Sequence, residues 1–402
     1  MKILHTGDWH LGKYLHQFSR LEEQESFLKN LVNICEKENI NLIIITGDIF
    51  DTFNPPVSAV ELFFKYLKIL SNNGKRGIVV IAGNHDSPDR IEAPFPLSME
   101  IGVILAGYPG KKIEPFSLES GLKITRSSPW FLELMLPGEN IPVRVILTPY
   151  TNEERLKVSL RDSSLELKDY LASKWKEVAV EFCNPEGINI LVAHLFFMNR
   201  GGVSPEESDD EKTILSIGGA ERIYTDCIPP EFDYVALGHM HKFQILTENP
   251  CPIVYSGSPI AYSTSDNQKE KVIVLIDFSK DKKTTITKIP INDGREIHRK
   301  KFNSIPNCIE WLKENPEVFV EITLKSDTYL KTEESKLIYS SHDRILGIIP
   351  EVSGEVEKNT GYDIDLSKSM EELFEEYFEF KKKQKPNEVI IDLFKEVISG
   401  EF

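Results

Sequence analysis

The sequence predicts a layered α/β protein carrying two smaller attachments, and three observations lead there. From residue 1 to about residue 290, apolar β-type runs alternate with longer periodic segments in a βαβ rhythm. With 41% hydrophobic, 27% charged and 10% aromatic residues, the composition is that of a packed globular protein. At 402 residues the chain is too long for a short binding module and long enough for one large catalytic domain with additions.

The opening MKILHTGDWH is a strand that runs into polar residues. Pro55 and Pro56 make a good helix entry for Val57 to Leu70. That helix carries Leu62, Phe63, Phe64, Tyr66, Leu67, Ile69 and Leu70, apolar on more than one face, so it is either a deeply buried core element or a face for a second copy of the chain. Lys271 to Phe278 and Thr284 to Pro290, joined by the polar SKDKK, form a hairpin that closes the large domain, 1–290, with a boundary near Ile291 to Gly294. Residues 295 to 353 give a strand, a helix with Cys308, Ile309, Trp311 and Leu312, and a strand from Val318 to Leu324. This is a small α/β unit, 291–353.

Beyond Gly354 the polar, mostly acidic GEVEKNTGYDIDLS is a linker to two helices, the whole forming a third segment, 354–402. Ser369 and Glu372 stand in a capping-box relation ahead of the stripe Leu373, Phe374, Tyr377 and Phe378. After KKKQKP, Asn387 caps a second stripe of Val389, Ile390, Leu393, Phe394, Val397 and Ile398. The apolar surface of such a hairpin exceeds what two helices cover between themselves, so it docks on its own chain or on a partner helix pair.

No apolar stretch approaches the roughly 18 residues needed to cross a bilayer, so neither a signal peptide nor a membrane anchor is expected. Cys35, Cys183, Cys227, Cys251 and Cys308 are scattered and never form a CxxC pair, which predicts no disulfide framework and no thiolate metal site. A reducing cytoplasm fits this usage. The net charge of −16 has the wrong sign for binding nucleic acid by bulk attraction, so a polyanionic substrate needs positive charge supplied locally.

Five apolar strand-like runs end in small residues followed by a metal-capable side chain. KILHTGDWH ends at Asp8 and His10, NLIIITGDIFD at Asp48 and Asp51, and GIVVIAGNHD at Asn84, His85 and Asp86. INILVAHLF ends at His194, and DYVALGHMH at His239 and His241. Ligands gather at the carboxyl edge of strands in an open α/β sheet, so these residues converge on one rim. Oxygen and imidazole donors without sulfur suit Mn, Fe or Zn, and two such ions about 3.5 to 4 Å apart share a bridging carboxylate, for which Asp48 is the choice. The glycine before Asp8, Asp48, Asn84 and His239 allows a sharp turn or a close approach to the ions. His5, His16, His298 and His342 lie outside these motifs.

The series GDxH, GDxxD, GNHD, AH and GHxH resembles the calcineurin-like metallophosphoesterases. GDWHLG, the GSP at Gly257 to Pro259 and the terminal helical pair make it similar, within them, to the bacterial branch of the double-strand-break repair nucleases. The resemblance covers essentially the whole chain. It implies a layered β-sandwich metallophosphoesterase domain flanked by helices, a capping domain and a C-terminal helical pair. It assigns one ion to Asp8, His10, Asp48 and His241, and the other to Asp48, Asn84, His194 and His239. His85 is then no ligand but the group that stabilises or protonates the leaving oxygen.

Phosphomonoesterases of the superfamily often read GDxVDRG and GNHE, whereas here Thr52 follows Asp51 and the third motif is GNHD. Without that arginine a diester monoanion is the better substrate. The resemblance implies DNA cleavage by in-line hydrolysis at a two-metal centre, with Mn the expected metal and Mg, Fe and Zn compatible. It also implies an SMC-type ATPase partner bound by the C-terminal helices, and a homodimer through the 57–70 helix, which together make a heterotetramer. A small-molecule or cyclic-nucleotide phosphodiesterase, and a DNA-end tether with incidental hydrolysis, are the alternatives. Arg295, His298, Arg299, Lys300 and Lys301 are either a DNA-backbone contact or a solvated edge strand.

Overall fold

The computed structural model describes residues 1–157, 166–202, 222–264, 266, 270–279, 284–326, 330–352, 370–382, 386, 390, 391 and 394. The chain divides into two compact units, Met1–Glu351 and Val352–Phe402.

Strand Leu42–Ile45 shows why the first unit is layered. Leu42 and Ile44 point into one apolar cluster, and Ile43 and Ile45 into another. Side chains alternate across a strand, so a run that is apolar at every position needs cover on both faces. Ile78 and Val80 divide from Val79 and Ile81 in the same way. These strands belong to a six-stranded sheet that also holds Lys2–Thr6, Val103–Ala106, Lys271–Phe278 and Thr284–Ile291. A seven-stranded sheet packs against it. Leu134, Val145, Ile190, Val192 and Ala236 from the second sheet share one cluster with Ile3, Ile44 and Val79 from the first.

The outer faces are covered by helices. Leu21–Glu38 supplies Phe27, Leu28 and Leu31 to the first sheet, and Val57–Ser71 supplies Leu62, Phe63, Tyr66, Leu67 and Leu70. Leu167–Phe182 lays Leu171, Trp175, Val178 and Ala179 on the second sheet. The order is helix, sheet, sheet, helix, the layered α/β architecture that the sequence predicts. The Val57–Ser71 helix thus turns most of its apolar side chains into the core. It leaves Val57 and Ile69 exposed, and it ends where Asn72 adopts the left-handed conformation.

The closing hairpin forms as expected, with Lys271–Phe278 antiparallel to both Thr284–Ile291 and Lys2–Thr6. After it comes a separate three-stranded sheet of Ile297–Phe302, Phe319–Ser326 and Ile345–Val352. Its own core joins Cys308 and Leu312 of helix Ile305–Glu314 to Val320, Ile322, Leu324 and Ile338. A small cluster of Leu15, Phe319 and Leu346 ties this unit to the short hairpin that follows His10.

In the second unit Met370–Lys382 is helical, and Phe374 stacks on Phe394 with ring centroids 3.9 Å apart. The linker, the proposed caps Ser369 and Asn387, and Val389, Leu393, Val397 and Ile398 lie outside the described residues.

Candidate metal centre

The first sheet sets Lys2–Thr6, Leu42–Ile45 and Gly77–Ile81 parallel, and the second sets Ile188–His194 parallel to Tyr234–Gly238. All five end on one rim, as the motif series predicts, and Asp8, His10, Asp48, Asn84, His194, His239 and His241 all lie there.

Tight backbone packing makes the convergence possible. A Cβ on Gly83 would sit 2.1 Å from Asp48 Oδ1, and one on Gly238 would sit 2.0 Å from the Thr46 carbonyl oxygen. Neither separation is tolerable, so these glycines serve close approach rather than unusual dihedrals. The unusual dihedrals fall on the donors themselves: φ is +52° at Asp8, +43° at His10, +46° at Asp48 and +108° at His239. Left-handed backbone at residues with side chains costs on the order of 1 kcal/mol each and persists where surrounding structure over-determines it, as at ligand sites.

The expected ligands fall into two groups, and a third cluster of atoms within 4.8 Å of one another, His10, Asp51 and His85, shares His10 with the first. Asp8, His10 and His241 offer atoms within 4.8 Å of one another, and so do Asp48, His194 and His239. Asn84 Oδ1 joins the second group, 2.8 Å from His194 Nε2 and 3.1 Å from His239 Nδ1. In the first, His10 Nε2 and His241 Nε2 are 2.9 Å apart. Separations of about 3 Å are those of neighbouring ligands on one ion with bonds of about 2.1 Å. Asp48 lies between the groups: its Oδ2 is 3.4 Å from His194 Nε2 and 3.7 Å from His10 Nε2. Asp8 Oδ2 is buried without a hydrogen-bond partner, a costly state that a cation relieves.

Supporting contacts choose which ring atoms face inward. His194 Nδ1 donates to the Thr46 carbonyl at 2.7 Å, which turns Nε2 toward Asp48 and Asn84. His10 Nδ1 is buried without a hydrogen-bond partner, its nearest carboxylate oxygen being Asp51 Oδ1 at 3.6 Å. The Asp51 carbonyl accepts a 2.8 Å bond from His85 Nδ1, and the His85 backbone N–H donates to Asp48 Oδ1 at 2.9 Å. Asp86, the last motif residue, braces the turns: its carboxylate accepts from the backbone N–H groups of Gly83, Ile49 and Phe50.

Sequence reasoning missed several contributors. Gln24 Nε2 donates to the His10 carbonyl at 2.7 Å, and Tyr262 OH donates to that of Trp9. The buried Lys271 donates to the carbonyl of His241 at 3.1 Å and pairs with Asp266. Arg155 donates to carbonyls of the GNHD turn. All four act on backbone oxygens, which leave no trace in a motif.

Burial pushes His10 down to about 4 and His239 down to about 3, and lowers His241 as well, so all three are held in the neutral form that can ligate. Burial raises Asp8 to about 8. Burial alone would lower His194, but the carboxylates of Asp48 and Asp8 outweigh it and raise it to about 9. For Asp48, burial is outweighed by His194 and its neighbouring imidazoles, which hold the carboxyl well below its usual range.

Asp8 and His194 therefore bind protons more tightly folded than unfolded, and between pH 7 and 9 the metal-free protein loses stability as those protons leave. Divalent ions compete for the same atoms, so their affinity rises over that window. Calorimetric titration of Mn in two buffers of different ionisation enthalpy is expected to show proton release at pH 7 that shrinks toward pH 9. Equal heats in both buffers at pH 7 would contradict it.

A layered α/β scaffold with oxygen and imidazole donors on one rim defines a metal-dependent phosphoesterase, and residues 1–243 match the family described as calcineurin-like phosphoesterase. The chain is 32% identical over 409 residues to the SbcD subunit of nuclease SbcCD from Bacillus subtilis, covering 100% of this chain and 98% of that one. It is 30% identical over 285 residues to the SbcD subunit from Rhodobacter capsulatus, covering 69% of this chain and 67% of that one. For the SbcD subunit from Escherichia coli K12 the figures are 26% over 346 residues, 84% and 81%. The chain belongs to the SbcD nuclease family of calcineurin-like phosphoesterases.

Proposed function

We propose that this chain is the nuclease subunit of an SbcCD-like complex acting in DNA repair and recombination. It hydrolyses DNA phosphodiesters with two divalent ions, Mn by preference, as an exonuclease on double strands and an endonuclease on single strands and hairpins. The observation that carries this is the Asp48 carboxylate lying between two groups of buried donors.

The donor set fits the ions: it is all oxygen and imidazole, three imidazoles are held neutral, and Asp8 Oδ2 is buried and unsatisfied. Asp8, His10, Asp48 and His241 would hold one ion, and Asp48, Asn84, His194 and His239 the other. Bound there, the ions would supply the positive charge that an acidic protein of net charge −16 lacks, and a nucleophile at neutral pH. His85 is tied by Nδ1 to the Asp51 carbonyl, so Nε2 is the ring atom left to carry a proton to the leaving oxygen.

Residues 1–290 form the nuclease domain, 291–353 the cap and 354–402 the partner-binding segment. Two copies pair through the 57–70 helix, a reading that the exposure of Val57 and Ile69 supports. The basic patch is the weaker DNA candidate. Ile297–Phe302 is an edge strand, and three of its basic residues have carboxylate partners, Arg299 with Glu321, Lys301 with Glu351 and His298 with Glu296, while Lys300 lies over the Trp311 ring. Among the described residues no helix is long and apolar enough to cross a membrane, and we place the complex in the cytoplasm.

The test is digestion of linear and hairpin DNA in Mn, with and without the co-purified SbcC-like ATPase. Deleting the residues after Gly354 is expected to abolish ATPase capture while metal-dependent hydrolysis of a simple phosphodiester persists, because Met1–Glu351 is a compact unit of its own. Capture that survives the deletion would place the ATPase contact elsewhere.

A further inference from the structure

The turn Gly83–Asp86 carries both a metal donor, Asn84, and the proposed proton donor, His85. Its N–H groups and its carbonyls are held by different side chains. The Asp86 carboxylate takes the N–H of Gly83 and the Asp48 carboxylate that of His85, while the carbonyls accept from Arg155. Arg155 Nη1 donates to the Gly83 carbonyl at 2.8 Å, and Nη2 donates to that of Asp86 at 2.8 Å and to that of Asn84 at 3.4 Å.

Arg155 is itself fixed. Its guanidinium lies over the Tyr150 ring, 4.9 Å from the centroid. Its backbone N–H is capped by Asn152 Oδ1 at 2.8 Å, and the Tyr150 N–H donates to the Ala82 carbonyl at 2.8 Å. A planar fork of donors suits several carbonyls of one turn, a geometry that a lysine reproduces poorly.

We propose that Arg155 is a positioning residue for the reaction, gripping the Gly83–Asp86 turn so that His85 meets the leaving oxygen. This rests on the reading of His85 as proton donor. Arg155 belongs to neither donor group; its guanidinium binds the carbonyls of Gly83, Asn84 and Asp86 and so restricts the backbone on both sides of His85. Displacement of a general acid by an ångström is enough to forfeit most of its effect.

The experiment uses the full-length chain saturated with Mn and two substrates: linear DNA, whose leaving alkoxide needs a proton, and bis(p-nitrophenyl) phosphate, whose phenolate does not. Arg155→Ala is expected to lower kcat on DNA about a hundredfold, with a loss on the aryl diester at least about tenfold smaller. The double variant with His85→Ala is expected to be no slower on DNA than His85→Ala alone. Equal losses on both substrates, losses that multiply in the double variant, or DNA turnover within about twofold of the parent would each overturn the proposal. Should the alanine variant fail to fold, Arg155→Lys takes its place under the same criteria, with a smaller expected loss. His85→Ala that still cuts DNA at the parental rate would instead defeat the His85 assignment, a result obtained without touching Arg155.

Discussion

Asp48→Asn removes cleavage by about three orders of magnitude or more, equivalent to ~4 kcal/mol in the barrier, and the isolated protein retains at most one ion. Its Oδ2 lies within 3.7 Å of a ring nitrogen from each donor group, the position from which one carboxylate can serve both. Asparagine keeps the shape, and its Oδ1 can still accept the His85 N–H, so the change isolates the charge. Without that charge His194 loses its principal counter-ion, and its raised pKa falls back toward the ordinary histidine value. A Cβ on Gly83 would sit 2.1 Å from Asp48 Oδ1, so the carboxylate lies close against the Gly83 backbone. The measurements are metal content after gel filtration, Mn-dependent DNA cleavage and thermal unfolding. Two ions retained, or cleavage within about tenfold of the parent, would remove Asp48 from the bridging position.

Parts of this architecture are legible in the chain because strand ends and donors coincide in sequence. LHTGDWH, IIITGDIFD and VIAGNHD each place an apolar run beside its polar residue, and parallel strands bring those ends together without further information. What covers the strands is not legible in that way. Ile43, Ile44 and Ile45 are all apolar, so the run announces burial on two faces but not which face meets the second sheet and which the helices. The same limit applies to Val57–Ser71: its apolar residues lie on more than one face, and the chain alone does not say that Leu62, Phe63, Tyr66, Leu67 and Leu70 are the ones that enter the core while Val57 and Ile69 stay exposed.

The charged residues behave similarly. Arg299 and Lys301 read as a free basic stripe because Glu321 and Glu351 lie 22 and 50 positions away in the chain. Arg155 carries no signal at all, since a guanidinium that binds carbonyls sets no requirement on the identity of the residues it holds. The donor residues were findable because their chemistry resides in side chains. Their supports at Thr46, Gln24, Arg155 and Lys271 were not, because they act through the backbone.

His85→Ala lowers DNA cleavage by about two to four orders of magnitude while both ions remain bound. Neither donor group depends on its ring. His85 Nδ1 is committed to the Asp51 carbonyl, and the backbone N–H that contacts Asp48 is unchanged by the substitution. The ring does pack against His10, with centroids 4.9 Å apart and planes nearly perpendicular, so its loss opens space beside one donor, and the metal content must be measured rather than assumed. If His85 delivers a proton, the loss grows with the basicity of the leaving group, and a series of aryl diesters from p-nitrophenyl to phenyl is expected to show a steeper dependence in the variant than in the parent. A parallel dependence with both ions present would leave His85 stabilising the phosphate without transferring a proton. Loss of an ion together with activity would instead make it part of the donor set.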